Sequence, residues 1–366
     1  MSVSFKVATS TGSYNVDIAC GALAATLAEV GERIYIVDAF LEPTLRAAGI
    51  DPIVIVATES AKSLDRMADL IIAMRERRAT RNTVLVAVGG GVVQDAAAFV
   101  ASVYMRGLDW IYAPTTLLSM TDSCIGGKSS INVGTFKNIV GTIHPPQRVV
   151  VDPLLASTLT LEQRAAGLCE AVKICLCRGP EALDQYLALS PSSDMPDEAL
   201  ARVIALSLQT KKWFIEIDEF DKSERMLLNF GHTFGHAFEA ASGFRVDHGI
   251  AVGLGMLAAL HLGAAMGRDY RATPIVGRFR DHVIDLVSAR RDLARDLASV
   301  EVPALMEAFE ADKKHSRDSY AVIIVTPQSA VERRLLPRDG ASAQLIAGAF
   351  QAVLADWATC PALETE

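Results

Sequence analysis

The sequence is short of basic charge, of patterned cysteine and of the standard cofactor fingerprints. Each shortage closes off a class of function. Lys and Arg number 35 against 43 Asp and Glu, a formal net charge of −8. Such a balance offers no basic footprint, and no nucleic-acid partner is expected. The six cysteines (Cys20, Cys124, Cys169, Cys175, Cys177 and Cys360) follow no regular framework, and Cys175 and Cys177 are one residue apart, not in C-x-x-C spacing. Neither a disulfide scaffold nor a zinc knuckle is indicated, and reduced thiols in a cytoplasmic protein are the expectation. The opening residues, MSVSFKVATSTGSYNV, lack a basic head followed by an apolar core, so no signal peptide is expected. Internal repeats and low-complexity tracts are absent. One apolar stretch, residues 249–267, approaches bilayer-spanning length. It is rich in Gly and Ala, follows a histidine of functional appearance, and reads as a helix buried in a large domain, with no membrane partner.

What remains is a globular composition, 51 % apolar and 21 % charged over 366 residues. That length suggests two domains at about 100–200 residues each. The first 150 residues alternate between strands and helices. Residues 33–38, 52–57, 83–88, 110–113 and 148–152 are short β-branched runs. Between them, residues 60–78 place Leu64, Met67, Leu70, Ile71 and Met74 at helical spacing. Strand–helix–strand repetition predicts a parallel, Rossmann-like sheet with both faces covered, binding ligands at the C-terminal ends of its strands. From about residue 160 the pattern is helical, over 161–177, 196–217, 224–241, 249–267, 274–299 and 342–357, with one strand at 321–325. Residues 179–197, with Pro180, Pro191 and Pro196, read as a surface connection. The expected division is an α/β domain over 1–155 and a mainly helical domain over 156–366.

Three clusters carry chemistry. In the first, a strand runs into Gly89-Gly90-Gly91 and then into a helix expected over 95–105. Glycines let backbone N–H groups approach an anion, and a helix N-terminus favours one, so a pyrophosphate is the natural guest. The spacing is not G-x-G-x-x-G, and a tight turn without a ligand is the alternative. Asp38 ends an earlier strand, where a carboxylate can hold a ribose hydroxyl. The second cluster runs from Asp122 through Gly126-Gly127-Lys128-Ser129 to Lys137-Asn138. A phosphate loop of the Walker type needs a glycine six residues before Lys128, and position 122 is Asp, followed by Ser123. Two glycine-borne turns with lysines remain, suited to an anionic substrate or merely solvated. The third cluster gathers His232, His236 and His248 within seventeen residues. His232 and His236, at i and i+4, share a helix face and suit a divalent metal, but Thr233 excludes H-E-x-x-H. Glu170, acidic in an otherwise apolar helix, needs a compensating cation and is the candidate third ligand. Two surface histidines and one core histidine is the plainer alternative.

Taken together, these stretches resemble the sugar phosphate cyclase family, which includes 3-dehydroquinate synthase. The resemblance runs through residues 13–16, 89–95, 114–118, 122–138, 167–173, 229–236 and 312–314, and is most specific over 122–138 and 228–236. It implies a dehydroquinate synthase-like fold, with a nucleotide-binding α/β domain and a mainly helical C-terminal domain. It also implies NAD, a divalent Zn²⁺ or Co²⁺, and a homodimer. By position it makes Glu170, His232 and His248 the metal ligands and moves His236 to the substrate. Asp122, Lys128, Lys137, Asn138, Lys173, Lys211, Arg225, Asn229 and His236 match active-site positions, of which Lys128, Lys173, Lys211, Asn229 and His236 are the catalytic candidates. Arg106 matches an arginine that meets substrate phosphate across the dimer, and Lys313 or Lys314 matches a further lysine. For NAD the matches are Asp38, Glu59, Lys62, Gly89, Gly90, Gly91, Asp95, Thr115, Thr116, Asp122, Lys137 and Thr158.

The implied reaction eliminates phosphate from a seven-carbon keto acid phosphate through transient oxidation, reduction, ring opening and intramolecular aldol closure. Fixed cations suit a substrate bearing phosphate and carboxylate. Three departures stand out. Gln94 replaces a common Gly, Ile250 replaces Glu in the usual His-Gly-Glu, and Ile174-Cys175 replaces the more common Tyr-Gly. They leave room for a divergent cyclase of the 2-epi-5-epi-valiolone or 2-deoxy-scyllo-inosose type. A metal-dependent polyol dehydrogenase and a catalytically dead NAD-binding regulator are further alternatives. Retention of Lys128, Asn138, Lys211, Arg225 and Asn229, the carboxylate-binding candidates, favours the dehydroquinate-forming reaction.

Overall fold

The computed structural model describes residues 2–358; Cys360 lies outside them. The strands of the first part are β1 (Ser2–Thr9), β2 (Gly12–Ala19), β3 (Arg33–Asp38), β4 (Ile53–Ile55), β5 (Val84–Gly89), β6 (Trp110–Pro114), β7 (Ile131–Val133), β8 (Phe136–Val140) and β9 (Arg148–Val151). Seven of them form one sheet in the order β1-β2-β9-β6-β5-β3-β4. From β2 to β4 every pair is parallel, and β1 closes one edge antiparallel to β2. Tyr35, Val37, Val86, Val88, Ile111, Ala113 and Val150 alternate onto one face, where they pack with Leu23, Leu41 and Leu45. Burying each Val or Leu contributes about 1.5–3 kcal/mol, so these positions fix the register. β3 is flanked by β4 on one side and by β5 on the other, which is where the strand order reverses. In open α/β sheets ligands bind at such a switch point, beyond the C-terminal strand ends. Asp38 and Gly89 are those ends.

The chain divides into two compact units, one of residues 1–159 with 196–221 and one of residues 160–195 with 222–366. This differs from a single boundary at 155/156. Helix Asp197–Ile217 belongs to the first unit, although it lies in the helical half of the sequence. Its polar groups explain why. Glu216 accepts from Ala8 N at 2.9 Å, and Ser207 Oγ donates to Thr121 O at 2.7 Å.

In the second unit helix His248–Ala265 is central, with fourteen residues from Gly249 to Gly263 buried. Helices Leu161–Arg178, His232–Ala241, Pro274–Ser288 and Gly340–Ala358 pack on it. It is long and apolar enough to cross a membrane, with a mean hydropathy of 1.5, but 78 % of that window is buried inside the protein. Gly235 and Gly255 let it cross helix His232–Ala241 at backbone distance, since a Cβ on Gly255 would overlap Gly231 O.

Several elements differ from the sequence reading. Residues 179–197 contain a helix, Pro180–Ala188. The 224–241 helix is broken by Gly231 at φ 77° into a 3₁₀ turn, Glu224–Asn229, and helix His232–Ala241. Residues 274–299 are two helices, Pro274–Ser288 and Leu293–Leu297. The expected strand at 321–325 is one arm of a hairpin, β10 (Ser319–Val325) with β11 (Val331–Pro337).

Candidate nucleotide cradle and metal centre

β5 ends at Gly89, Gly90 caps the next helix in an extended conformation, and that helix spans Gly91–Val103. It starts four residues before the expected position, so the glycines themselves form its mouth. A Cβ at Gly90 would come within 2.9 Å of Thr116 Cγ2, while one at Gly91 would meet nothing within 4 Å. The open space at Gly91 and the first-turn N–H groups fit a phosphate. Thr115 N donates to Gly89 O at 3.1 Å, holding the two strand ends side by side.

Next to this mouth lies a polar network. Lys62 Nζ is 2.7 Å from Asp95 Oδ2 and 3.2 Å from Asn138 Oδ1. Asp95 Oδ1 accepts from Ser130 N at 3.1 Å. Burial pushes the Asp95 carboxyl above its ordinary value, with Lys62 pulling the other way. Asn132, buried, donates to Glu59 Oε1 at 2.8 Å and accepts from Asn138 N at 2.8 Å. It thereby ties Glu59 to the β7–β8 hairpin that carries Lys137 and Asn138. Asn138 has φ 54°, a left-handed conformation that Asn tolerates well.

A second group belongs to the same unit. Lys211, 8 % exposed at its side chain, lies 2.5 Å from Asp122 Oδ1, and its Nζ donates to Ile125 O at 3.2 Å. Gly126 and Gly127, at φ 104° and 65°, turn the chain so that Lys128 Nζ reaches Asp221 Oδ2 at 2.6 Å. Asp38 caps its own turn by accepting from Phe40 N at 3.1 Å. Thr158 Oγ1 donates to Leu155 O at 2.8 Å. Arg106 sits past the other end of helix Gly91–Val103, exposed and at φ 70°. At 1.5 Å per residue that is on the order of 20 Å from the glycine mouth.

In the second unit a capping box at Thr160 and Gln163 starts helix Leu161–Arg178. Glu170 and Lys173 share one buried face of it, 1 % and 2 % exposed, with Lys173 Nζ hydrogen-bonded to Glu170 Oε2. A Cβ at Gly249 would overlap Ala166 O. That glycine brings the start of helix His248–Ala265 onto the Glu170 helix. Glu170 Oε1 is 3.6 Å from His232 Nε2 and 3.4 Å from His248 Nε2. One ligand atom from each of the three lies within 4.8 Å of the others. A carboxylate with two imidazoles is a donor set for a divalent transition metal, and these residues fit one. Burial, then the Lys173 charge and the neighbouring imidazoles, hold His232 well below its usual pKa, in the neutral form that ligates. Burial opposes charge on His248 too, but hydrogen bonds to Glu170 and Glu239 prevail and raise it.

The i, i+4 pair of His232 and His236 is thus not the pair that converges on Glu170. His236 Nδ1 instead lies 3.2 Å from Asp312 Oδ2, and Lys314 Nζ lies 2.9 Å from the same oxygen. Burial would raise the Asp312 carboxyl, but His236 and Lys314 hold it far below the ordinary range. Lys313 is exposed. Arg225 is buried in the Glu224–Asn229 turn, and Asn229 Nδ2 donates to Met226 O at 3.0 Å. Two residues here were not assigned from sequence. Glu239 Oε2 lies 3.1 Å from His248 Nδ1, and Asp312 orients His236. Glu239 was legible as the third polar position, after His232 and His236, on one helix face. Ile250 is fully buried, so the residue that departs from His-Gly-Glu packs in the core. Burial pushes the Cys124 thiol up to about 12, which removes it as a nucleophile.

A parallel sheet with a glycine mouth at its switch point, followed by a helical unit with a carboxylate–diimidazole cluster, defines a class: an α/β nucleotide-binding fold joined to a helical candidate metal domain. The chain matches the 3-dehydroquinate synthase N-terminal family over residues 52–166 and the C-terminal family over 167–315, and it belongs to the 3-dehydroquinate synthase family. A 3-dehydroquinate synthase of Saccharolobus solfataricus is 34 % identical over 284 residues, 77 % of this chain and 79 % of that protein. One of Xanthomonas oryzae pv. oryzae is 41 % identical over 226 residues, 60 % of this chain; the match spans 61 % of its length. In fold the chain is similar to 2-deoxy-scyllo-inosose synthase, solved with carbaglucose-6-phosphate, NAD⁺ and Co²⁺. The TM-score is 0.82 at 21 % identity, covering 94 % of this chain and 99 % of that one.

Proposed function

We propose that the protein is a phosphate-eliminating cyclase that converts 3-deoxy-arabino-heptulosonate 7-phosphate to 3-dehydroquinate and phosphate, with NAD⁺ and Zn²⁺ or Co²⁺. The observation that carries this reading is the convergence of Glu170, His232 and His248 within 4.8 Å, flanked by Lys173 and by the Lys314–Asp312–His236 chain. Glu170, His232 and His248 would hold the metal. Gly89, Gly90, Gly91, Thr115, Thr116, Asp38, Glu59, Lys62, Asp95, Asp122, Lys137 and Thr158 would hold the nucleotide. When bound, the nicotinamide supplies a hydride acceptor and the metal polarises the reacting oxygen.

The chain's own residues do the rest. Lys128, Lys137, Asn138, Lys211, Arg225, Asn229 and a lysine of the 313–314 pair bind the phosphate and carboxylate of the substrate and orient its ring. Asp312 holds the Nδ1 side of His236, leaving Nε2 to exchange a proton with the substrate. Lys173, hydrogen-bonded to Glu170 Oε2, orients that carboxylate toward the two imidazoles. A homodimer would let Arg106 serve the neighbouring site, a role that accords with its exposure and its distance from the glycine mouth. A small sugar phosphate as the only other partner and a cytoplasmic location complete the proposal.

The test is purified protein with NAD⁺, Zn²⁺ or Co²⁺ and 3-deoxy-arabino-heptulosonate 7-phosphate, following phosphate release and NADH absorbance. Phosphate and a carbocycle without accumulating NADH support the reading. No phosphate release from protein with bound metal and NAD⁺ overturns the substrate assignment. Turnover of sedoheptulose 7-phosphate or glucose 6-phosphate would then move it to the other cyclases, and net NADH to a polyol dehydrogenase.

A further inference from the structure

The departure at position 94 has a structural partner. Gln94, 4 % exposed, sits in the first turns of helix Gly91–Val103. Its Nε2 donates to Ser123 O at 2.7 Å, and Ser123 Oγ donates back to its Oε1 at 2.6 Å. One amide thus satisfies a donor and an acceptor on a single residue, which fixes that residue in rotation as well as in distance. The next residue on the helix, Asp95, accepts from Ser130 N at 3.1 Å. Two consecutive side chains therefore hold the segment at positions 123 and 130, and between them lie Gly126, Gly127 and Lys128. Asp122, immediately before Ser123, is gripped from helix Asp197–Ile217 by Lys211. A glycine or alanine at 94 would remove both of these bonds to position 123 and keep the one from Asp95 to Ser130.

We propose that Gln94 is a positioning residue: it locks the Asp122–Lys128 segment to the helix that opens at the glycine mouth, so that cofactor and substrate groups are held by one rigid element. The identity of those ligands rests on the function proposed above. The mechanical link does not, because it is built from contacts within the first unit.

The test compares Gln94→Ala, Ser123→Ala and the double variant. Amide hydrogen exchange on ligand-free protein reads the link directly. Residues 119–125 should exchange about tenfold faster in Gln94→Ala, while residues 91–103 stay protected. A misplaced Asp122 should lower kcat about tenfold, and NAD⁺ affinity should weaken by less than that, since Asp122 is one of several residues proposed to hold the nucleotide and the glycine mouth is intact. The double variant should be no worse than Gln94→Ala alone, because the two side chains act as one pair. Ser123→Ala keeps one of the two bonds and should fall between. Unchanged exchange at 119–125, or two single effects that multiply in the double variant, overturns the proposal. If the wild-type protein turns over no sugar phosphate, the functional reading fails while the exchange result still decides the role of Gln94.

Discussion

Replacing Lys173 by Met probes the buried centre most directly. Methionine keeps an unbranched stem of similar length and removes the ammonium group with its charge and its hydrogen bond. Lys173 and Glu170 are 2 % and 1 % exposed, one helical turn apart, and the ammonium is hydrogen-bonded to Oε2. Deleting one partner of such a pair costs about 3–5 kcal/mol, because the other charge stays buried. Glu170 keeps His248 Nε2 at 3.4 Å, and that imidazole is held in its charged form, so the lower end, about 3 kcal/mol, is expected. A divalent cation at Glu170 would compensate the same carboxylate. Saturating Zn²⁺ should therefore recover about half of the loss, which is equivalent to a metal dissociation constant about tenfold tighter in the variant. The assay is urea unfolding of wild type and Lys173→Met, once in chelator and once in Zn²⁺, with metal affinity measured by calorimetry. The variant should be inactive in both conditions. An equal stability gap with and without metal would refute the reasoning, since Lys173 and the metal would then not share Glu170.

Glu239→Gln should weaken metal binding about 10–100-fold by calorimetry while leaving the fold intact, because His248 loses the carboxylate that orients it; unchanged affinity would remove Glu239 from the site. Gly255→Ala should cost about 3 kcal/mol or more in thermal or urea unfolding, since its Cβ would overlap Gly231 O and force two helices apart. A soluble variant with unchanged melting would contradict that close crossing. Asp312 has a depressed folded pKa, so its pairing stabilises the fold above its unfolded value of about 3.9 and is lost as pH falls toward the folded value. The stability gap between wild type and Asp312→Asn should accordingly be largest near pH 6 and close as pH drops from about 5 to 2; a gap that widens in acid would reverse the assignment.

The parallel sheet was legible because its strands are short β-branched runs separated by periodic helices. Arg33–Asp38 was located to the residue, and Val84–Gly89 and Trp110–Pro114 to within one. Residues 2–19 alternate in polarity and form the edge hairpin, a signal that was present but eclipsed by the βα pattern that follows. The helix break at Gly231 was not legible, because a glycine between apolar residues reads the same whether it continues a helix or leaves it. Glu170 and His248 stood out as polar residues in apolar helices. Their meeting depends on Gly249, a close approach that only packing reveals. The same limit hid the assignment of helix Asp197–Ile217, whose amphipathic pattern says that it buries a face but not against which partner.

That excursion has a consequence for how the chain can be divided. The polypeptide passes from one unit to the other three times, near residues 159, 195 and 221. A single cut, whether by protease or by gene truncation, therefore never separates the units cleanly, since any fragment that holds the whole of one also carries a segment of the other. Lys211 arrives in the first unit on a segment synthesised after the whole of the Glu170 helix. On a ribosome the α/β unit stays unfinished until residue 221 has emerged, by which time part of the second unit is already waiting. The two halves of the protein are thus committed to maturing together, and shuffling one of them between relatives would have to carry residues 196–221 along with the amino-terminal half.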